Sequence, residues 1–172
     1  MQDFMELLKI ILPALLVFLT SWYLIREFLR KEESRRIDEQ KRLIGKDALM
    51  LRMQAYERLI LLMERISPAA VVLRLSKNNQ TAKDLHLQLI GTVKAEFEHN
   101  IAQQLYVSKE TWQMVVASKE ETVRLFNMSK EKCKENDNAI VLAKIILSDC
   151  QPTQDLISKT IDLIKQEAQK LF

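Results

Sequence analysis

The sequence predicts an all-α protein, in which one N-terminal transmembrane helix continues into a charged stalk and then into a cytoplasmic bundle of about five or six helices. Three observations carry that expectation. The 172 residues contain two Gly and three Pro, too few turn-formers for a β-rich fold. Residues 7–25 form a nearly uninterrupted apolar block. From Asp47 onward, apolar residues recur three and four apart, broken at intervals by short polar stretches. Leu, Ile, Lys, Glu, Gln and Ala dominate, and all but Ile rank among the better helix formers. The length suggests one domain plus an appendage.

The apolar block reads LLKIILPALLVFLTSWYLI, with Lys9 its one charge. As a helix, these residues rise about 28 Å, close to the roughly 30 Å hydrocarbon thickness of a bilayer. Lys9 lies near one end, where its stem can snorkel to the headgroups. Trp22 and Tyr23 lie at the other end, where amphipathic rings favour the interface. Pro13 is tolerated near the end of a membrane helix. A cleaved signal peptide would want a basic leader and a small-residue cleavage site, whereas this segment follows Asp3 and Glu6 and ends in SWYLIREF. A buried core helix of a soluble protein is the other alternative, disfavoured by the length of the uncharged run.

Orientation follows from flanking charge. Arg26, Arg30, Lys31, Arg35, Arg36, Lys41 and Arg42 follow the block, so the positive-inside bias places the C-terminal domain in the cytoplasm and the N-terminus outside. The expected topology is a membrane crossed once, with the lipid bilayer as the first partner. The membrane-interface residues are Lys9, Trp22, Tyr23, Arg26, Arg30 and Lys31.

The expected organisation is a short external N-terminus (1–6), a transmembrane helix (7–25), a juxtamembrane stalk (26–46) and a helical bundle (47–172). The stalk, beginning REFLRKEESRRIDEQKR, sets Glu27 against Lys31, Glu32 against Arg36, Arg35 against Glu39 and Asp38 against Arg42 at four-residue spacing, which supports an exposed helix. Between Arg30 and Arg42 only Ile37 is apolar, so a coiled-coil seam is not expected there. Gly45 marks an expected joint.

In the bundle, Leu49, Met53, Tyr56, Ile60, Met63 and Ile66 share one helix face, which Leu51, Leu59 and Leu62 widen. So broad an apolar face belongs to a central helix or meets a partner. Ser67-Pro68 reads as an N-cap with proline at the first helical position, restarting a helix toward Leu75. After the loop at 76–80, Thr81 and Asp84 approximate a capping box for a helix expected to reach about Tyr106, with Leu85, Leu89, Val93, Phe97, Ile101 and Leu105 inward. Ser108 is expected to cap the next helix, with Trp112, Val115, Val116, Val123 and Phe126 inward. AIVLAKIIL, 139–147, reads as a buried helix. Thr153 is expected to cap the last one, which turns Leu156, Ile157, Ile161, Ile164, Ala168 and Leu171 inward.

Composition excludes several function classes. The formal net charge is +3 with both signs interspersed, and no basic stripe with stacking aromatics points to nucleic acid. Two isolated glycines rule out Gly-rich phosphate loops, and no HExxH motif is present. Cys133 and Cys150 are not in a metal spacing and read as free thiols. Cys133 lies in the lysine-rich EKCKEN, where cations could lower its pKa, but no histidine accompanies it. Glu96-x-x-His99, with Glu98 beside it, has the spacing that di-iron bundles use twice. Here it occurs once, and one histidine is a poor ligand set for zinc. The expectation is therefore no enzyme, no cofactor and no metal.

The stretches MQAYERLILLMERISPAAVVLRL (53–75) and KAEFEHNIAQQLYVSKETWQMVV (94–116) resemble an uncharacterised family of single-pass, membrane-anchored helical proteins from Bacteroidota-type bacteria. The resemblance spans most of the chain and implies an inner-membrane address with no assigned activity. Within the second stretch, Glu96, Glu98, His99, Asn100, Gln103 and Gln104 form an unusually polar run. Together with Tyr106 they are a candidate partner-docking surface. The resulting expectation is a membrane-anchored interaction or adaptor protein, or an accessory subunit of an inner-membrane complex, that binds a protein partner or a second copy of itself. The alternatives are a metal- or cofactor-binding bundle centred on Glu96 and His99, and a stalk or stator-like subunit of a membrane machine.

Overall fold

The computed structural model describes the backbone of residues 2–134 and 137–171, and their side chains except at 2–14, 34 and 37–44. Among the described residues every regular element is helical: α1 (Gln2–Ile66), α2 (Pro68–Leu75), α3 (Ala82–Asn100), a 3₁₀ helix (Ile101–Leu105), α4 (Lys109–Glu131), α5 (Ala139–Asp149) and α6 (Gln151–Gln169). The chain divides into two compact units, Met1–Ala48 and Leu49–Phe172.

In the first unit, eleven large apolar side chains between Leu15 and Leu29 are 50–68% exposed. Leu15 to Leu19 are consecutive, so at 100° per residue they cover every face of the helix. Thr20 turns its hydroxyl back onto the carbonyls of Leu16 and Val17, each at 3.0 Å. Arg26 stacks over Trp22, 5.3 Å from the ring centre. Beyond it, Glu27 meets Arg30 at 3.3 Å and Lys31 at 3.8 Å, and Glu32 meets Arg36 at 3.4 Å. Glu39, the expected partner of Arg35, and the pair Asp38–Arg42 fall outside the described side chains, as do Lys9 and the 7–14 half of the expected span. Among the described residues, no helix is long and apolar enough to cross a membrane. α1 continues through Gly45, where the sequence places a joint, and the boundary between the two units falls just beyond it, after Ala48. A lone Gly costs a helix only about 1 kcal/mol relative to Ala, which its neighbours' hydrogen bonds absorb.

The second unit is a helical bundle around one core. Tyr56, Leu59, Leu62, Met63 and Ile66 of α1 pack with Val71 and Val72 of α2, Leu85, Leu89 and Val93 of α3, Val115 and Phe126 of α4, Leu142 and Ile146 of α5, and Ile157 and Ile164 of α6. Leu59 and Leu62, which widen the apolar face of α1, are thus fully consumed by the core. Met50, Leu51 and Leu61 remain 63%, 48% and 54% exposed.

Helix ends follow local chemistry. Thr81 and Ser108 accept from the backbone N–H of Asp84 and Thr111, as N-caps should. Asn138 caps α5 by accepting from Ile140 N–H. The starts of α3 and α5 lie side by side, with Ala82 N–H donating to Asp137 O at 2.8 Å and Ala139 N–H to Gln80 O at 2.9 Å. Two expected caps are corrected. Ser67 makes no capping bond and donates its hydroxyl to Gln154 Oε1 at 2.8 Å instead. Thr153 is buried inside α6, which begins at Gln151 with Pro152 in its first turn.

The seam between α4 and α6 is made of small hydroxyl residues. Thr111, Ser118, Thr122 and Ser129 of α4 and Thr153 and Thr160 of α6 are all buried. Ser118 and Thr160 share a hydrogen bond of 2.8 Å, and Thr122 and Thr160 also return their hydroxyls to the carbonyls of Ser118 and Leu156. Small side chains let two helices approach closely, and the hydroxyls of Thr111, Ser118, Thr122 and Thr160 are satisfied within the seam.

Candidate functional site

Arg58, Leu61, Leu62 and Arg65 lie three and four apart on α1 and therefore share a face. At the end of α3, Glu96, His99 and Asn100 do the same. The two sets enclose an open cleft of about 410 Å³. Leu62 roots its floor in the core, while Leu61 presents a half-exposed apolar surface. Arg65 Nη1 lies 3.3 Å from Glu96 Oε2, linking α1 to α3. Glu96 is the more enclosed partner, with 19% of its side chain exposed against 57% for Arg65. Arg58 and His99 are exposed, and Arg58 has no acidic partner among the described residues.

Asn100 explains why the cleft ends where it does. Its side-chain amide donates to Glu96 O at 2.8 Å, and its backbone leaves the helical region at φ −111° and ψ 3°. An Asn side chain that bonds to the main chain competes with helix continuation. The next N–H, of Ile101, therefore bonds to Glu98 O, three residues back, and the chain tightens into the 3₁₀ helix. The expected continuation of α3 to Tyr106 is corrected accordingly. Ile101 and Leu105, expected inward, are 47% and 78% exposed.

This change of pitch splits the candidate docking surface. Glu96, His99 and Asn100 line the cleft, whereas Glu98, Gln103, Gln104 and Tyr106 do not. Gln103 lends its carbonyl to Tyr106 N–H, and the Tyr106 carbonyl accepts from Arg52 Nε at 3.3 Å. Tyr106 therefore fastens the 3₁₀ segment to α1. The α1 side of the cleft, with Arg58, is not among the candidate residues read from the sequence. Its signal is the spacing Arg58–Leu61–Arg65, a charged and apolar stripe beside the core stripe of Tyr56, Leu59 and Met63.

A second polar cluster ties α6 to α1 and to the start of α4. Glu167, on the last turn of α6, accepts from Ser108 N–H and Ser108 Oγ, both at 2.7 Å, from Thr111 Oγ1, and from the Tyr56 hydroxyl at 3.1 Å. Arg52 Nη2 donates to the same Tyr56 oxygen at 3.2 Å. Burial pushes the Glu167 carboxyl up, but the hydrogen bonds from Thr111, Ser108 and Tyr56 outweigh it and hold the group below the usual carboxylate range. Burial raises the Tyr56 phenol, against the Arg52 hydrogen bond and with the Glu167 charge. The carboxylate also sits at the N-terminus of α4, where the helix dipole favours a negative charge.

The chemistry available elsewhere is limited. Among the described residues, no group of three or more His, Cys, Asp or Glu side chains converges as a metal site, and Glu96 is already engaged by Arg65. Neither cysteine is in a disulfide. The nearby cations do not activate Cys133: burial first, and then Asp137, push its thiol up despite Lys130.

No curated protein and no solved structure matches the chain. A family model does match, over residues 2–171, and its description is a family of unknown function, DUF7935. That match takes in nearly all of the sequence, and the chain belongs to this family.

Proposed function

We propose that the chain is a single-pass, membrane-anchored interaction protein of the bacterial inner membrane, whose helical domain docks a protein partner on the cytoplasmic side through the α1–α3 cleft. The observation that carries the anchor is the exposure of apolar side chains on every face of α1 between Leu15 and Ile25. A helix that is apolar all round requires an apolar surrounding. With residues 7–14 the run reaches bilayer length, and the inward-bent Thr20 hydroxyl suits a medium without water. Trp22 with Arg26 stacked on it fits the interface, and the basic excess after residue 25 favours a cytoplasmic bundle.

The docking role is supported by the cleft itself. Leu61 is left half-exposed between two arginines, and arginine is enriched where proteins meet. Among the described residues, no group of three or more His, Cys, Asp or Glu side chains supports a metal-centred reading. An accessory-subunit role remains within the proposal, since docking at a membrane is what such a subunit does.

Alkaline carbonate extraction of native membranes tests the anchor. The full-length chain should stay in the pellet and a variant lacking residues 1–25 should be released. Extraction of the full-length chain by carbonate would rule the anchor out.

A further inference from the structure

We infer that the α1–α3 cleft receives an acidic segment flanked by an apolar side chain, supplied by the partner protein, with the carboxylate on Arg58 and the apolar group on Leu61. The inference rests on the proposed docking role and specifies the chemistry of its occupant.

Charge is the first argument. The cleft is lined by two guanidinium groups and one carboxylate. Arg65 is taken by Glu96 at 3.3 Å, so Arg58 is the cation left over, exposed and without an acidic partner among the described residues. A guanidinium in that state favours a planar carboxylate that can accept two parallel N–H bonds. The Asn100 amide nitrogen is committed to Glu96 O at 2.8 Å, and its Oδ1 is the atom that can accept a backbone N–H of the incoming segment.

Shape and polarity give the second argument. The cleft is open, while small molecules are usually held in pockets that cover most of their surface. A volume of about 410 Å³ suits one or two side chains of a larger partner. Leu61, 54% exposed beside the buried Leu62, gives an apolar side chain a place to land. A phosphate dianion is disfavoured because the α3 edge of the cleft is a helix C-terminus, whose carbonyl ends repel excess negative charge. One carboxylate beside one free guanidinium is balanced there.

The test uses the full-length chain in phosphatidylcholine nanodiscs, panned against a phage-displayed random peptide library. Enriched peptides are then synthesised with a fluorophore and titrated by anisotropy. Peptides that place Asp or Glu next to Leu, Ile or Phe should emerge. Their affinity should fall about tenfold with Arg58→Glu and with Leu61→Asp, a few-fold with Arg58→Gln, and not at all with Glu57→Arg, an exposed site outside the cleft. Thermal unfolding of each variant verifies that the bundle is intact. Basic or uncharged peptides that still depend on Arg58 and Leu61 would overturn the acidic assignment while leaving the cleft as a docking site. Binders indifferent to both substitutions, or no binders, would overturn the assignment and the docking role together. Anionic phosphatidylglycerol nanodiscs that suppress peptide binding through Arg58 would show instead that the cleft takes a lipid headgroup.

Discussion

Glu167 holds Ser108 twice: one carboxylate oxygen accepts the backbone N–H of Ser108 and the other its hydroxyl, each at 2.7 Å. Ser108 is also the N-cap of α4. A single side chain on the last turn of α6 therefore ties the C-terminal helix to the beginning of α4 and, through the Tyr56 hydroxyl, to α1.

Replacing Glu167 should loosen this end of the bundle. Glu167→Ala should cost about 2–3 kcal/mol, because charged hydrogen bonds are lost and their donors are left half-buried. Glu167→Gln, which keeps one acceptor oxygen, should cost about 1–2 kcal/mol. Urea unfolding in mild detergent, followed by circular dichroism, measures both.

The same carboxylate sets an acid limb. Its folded pKa is depressed, so the unfolded chain binds a proton more readily. Its contribution to stability is complete above the unfolded value, about 4.3 for glutamate, and is lost as pH falls from there through the folded value. Melting temperature should therefore drop from about pH 5 downward in the wild type. Glu167→Gln should flatten part of that drop, and an unchanged slope would contradict the role given to this side chain.

Tyr56 is legible in the sequence as a core residue, and it is fully buried, but its hydroxyl has a separate role. Tyr56→Phe keeps the packing and removes the link between Arg52 and Glu167. About 1 kcal/mol of destabilisation is expected by chemical denaturation, with no loss of helicity.

Two buried serines on α4 should respond in opposite ways. Ser118 bonds to Thr160 at 2.8 Å, so Ser118→Ala removes the interhelical bond, leaves Thr160 with its Leu156 carbonyl alone and should destabilise by about 1 kcal/mol. Ser129 Oγ is buried without a hydrogen-bond partner among the described residues. Ser129→Ala should be neutral or stabilising by up to about 1 kcal/mol. Paired unfolding curves of the two variants decide the matter.

Gly91 sits within α3, and a Cβ added there meets nothing within 4 Å. Gly91→Ala should stabilise the bundle by about 0.5–1 kcal/mol through helix propensity alone. A loss of stability would point to a close approach that the geometry does not contain.

What the sequence made legible was set by strong periodicity. The apolar spacing of α1 from Leu49 to Ile66 and of α3 up to Phe97 located helices and core, because large aliphatic side chains at three and four apart have one physical outcome. The unbroken apolar run 139–147 is a helix, but it buries Ala139, Leu142, Ala143 and Ile146 and leaves Ile140, Val141 and Leu147 exposed. The α4–α6 seam was not legible, since its inward residues are Ser and Thr and read as solvent-facing. Counting them inward restores a regular four-three alternation, 111, 115, 118, 122, 125, 129 on α4 and 153, 157, 160, 164 on α6. The end of α3 was misplaced because the side-chain bond from Asn100 to Glu96 O is a local competition that apolar spacing does not register. Of the polar run from Glu96 to Gln104, Glu96, His99 and Asn100 line the cleft, and the change of pitch at Asn100 divides them from the rest. The α1 half of the cleft became visible only once packing showed that Leu61 stays outside the core while Leu62 enters it.

The central claim, that the α1–α3 cleft of this chain docks a partner at the membrane, is tested most directly by photo-crosslinking in cells. A benzoylphenylalanine replacing Leu61 in the full-length chain should give one discrete adduct in the membrane fraction, abolished by Arg58→Glu. The same photoreactive group at the exposed Lys159 position of α6 should give none. No adduct from position 61, or equal adducts from positions 61 and 159, would contradict the account.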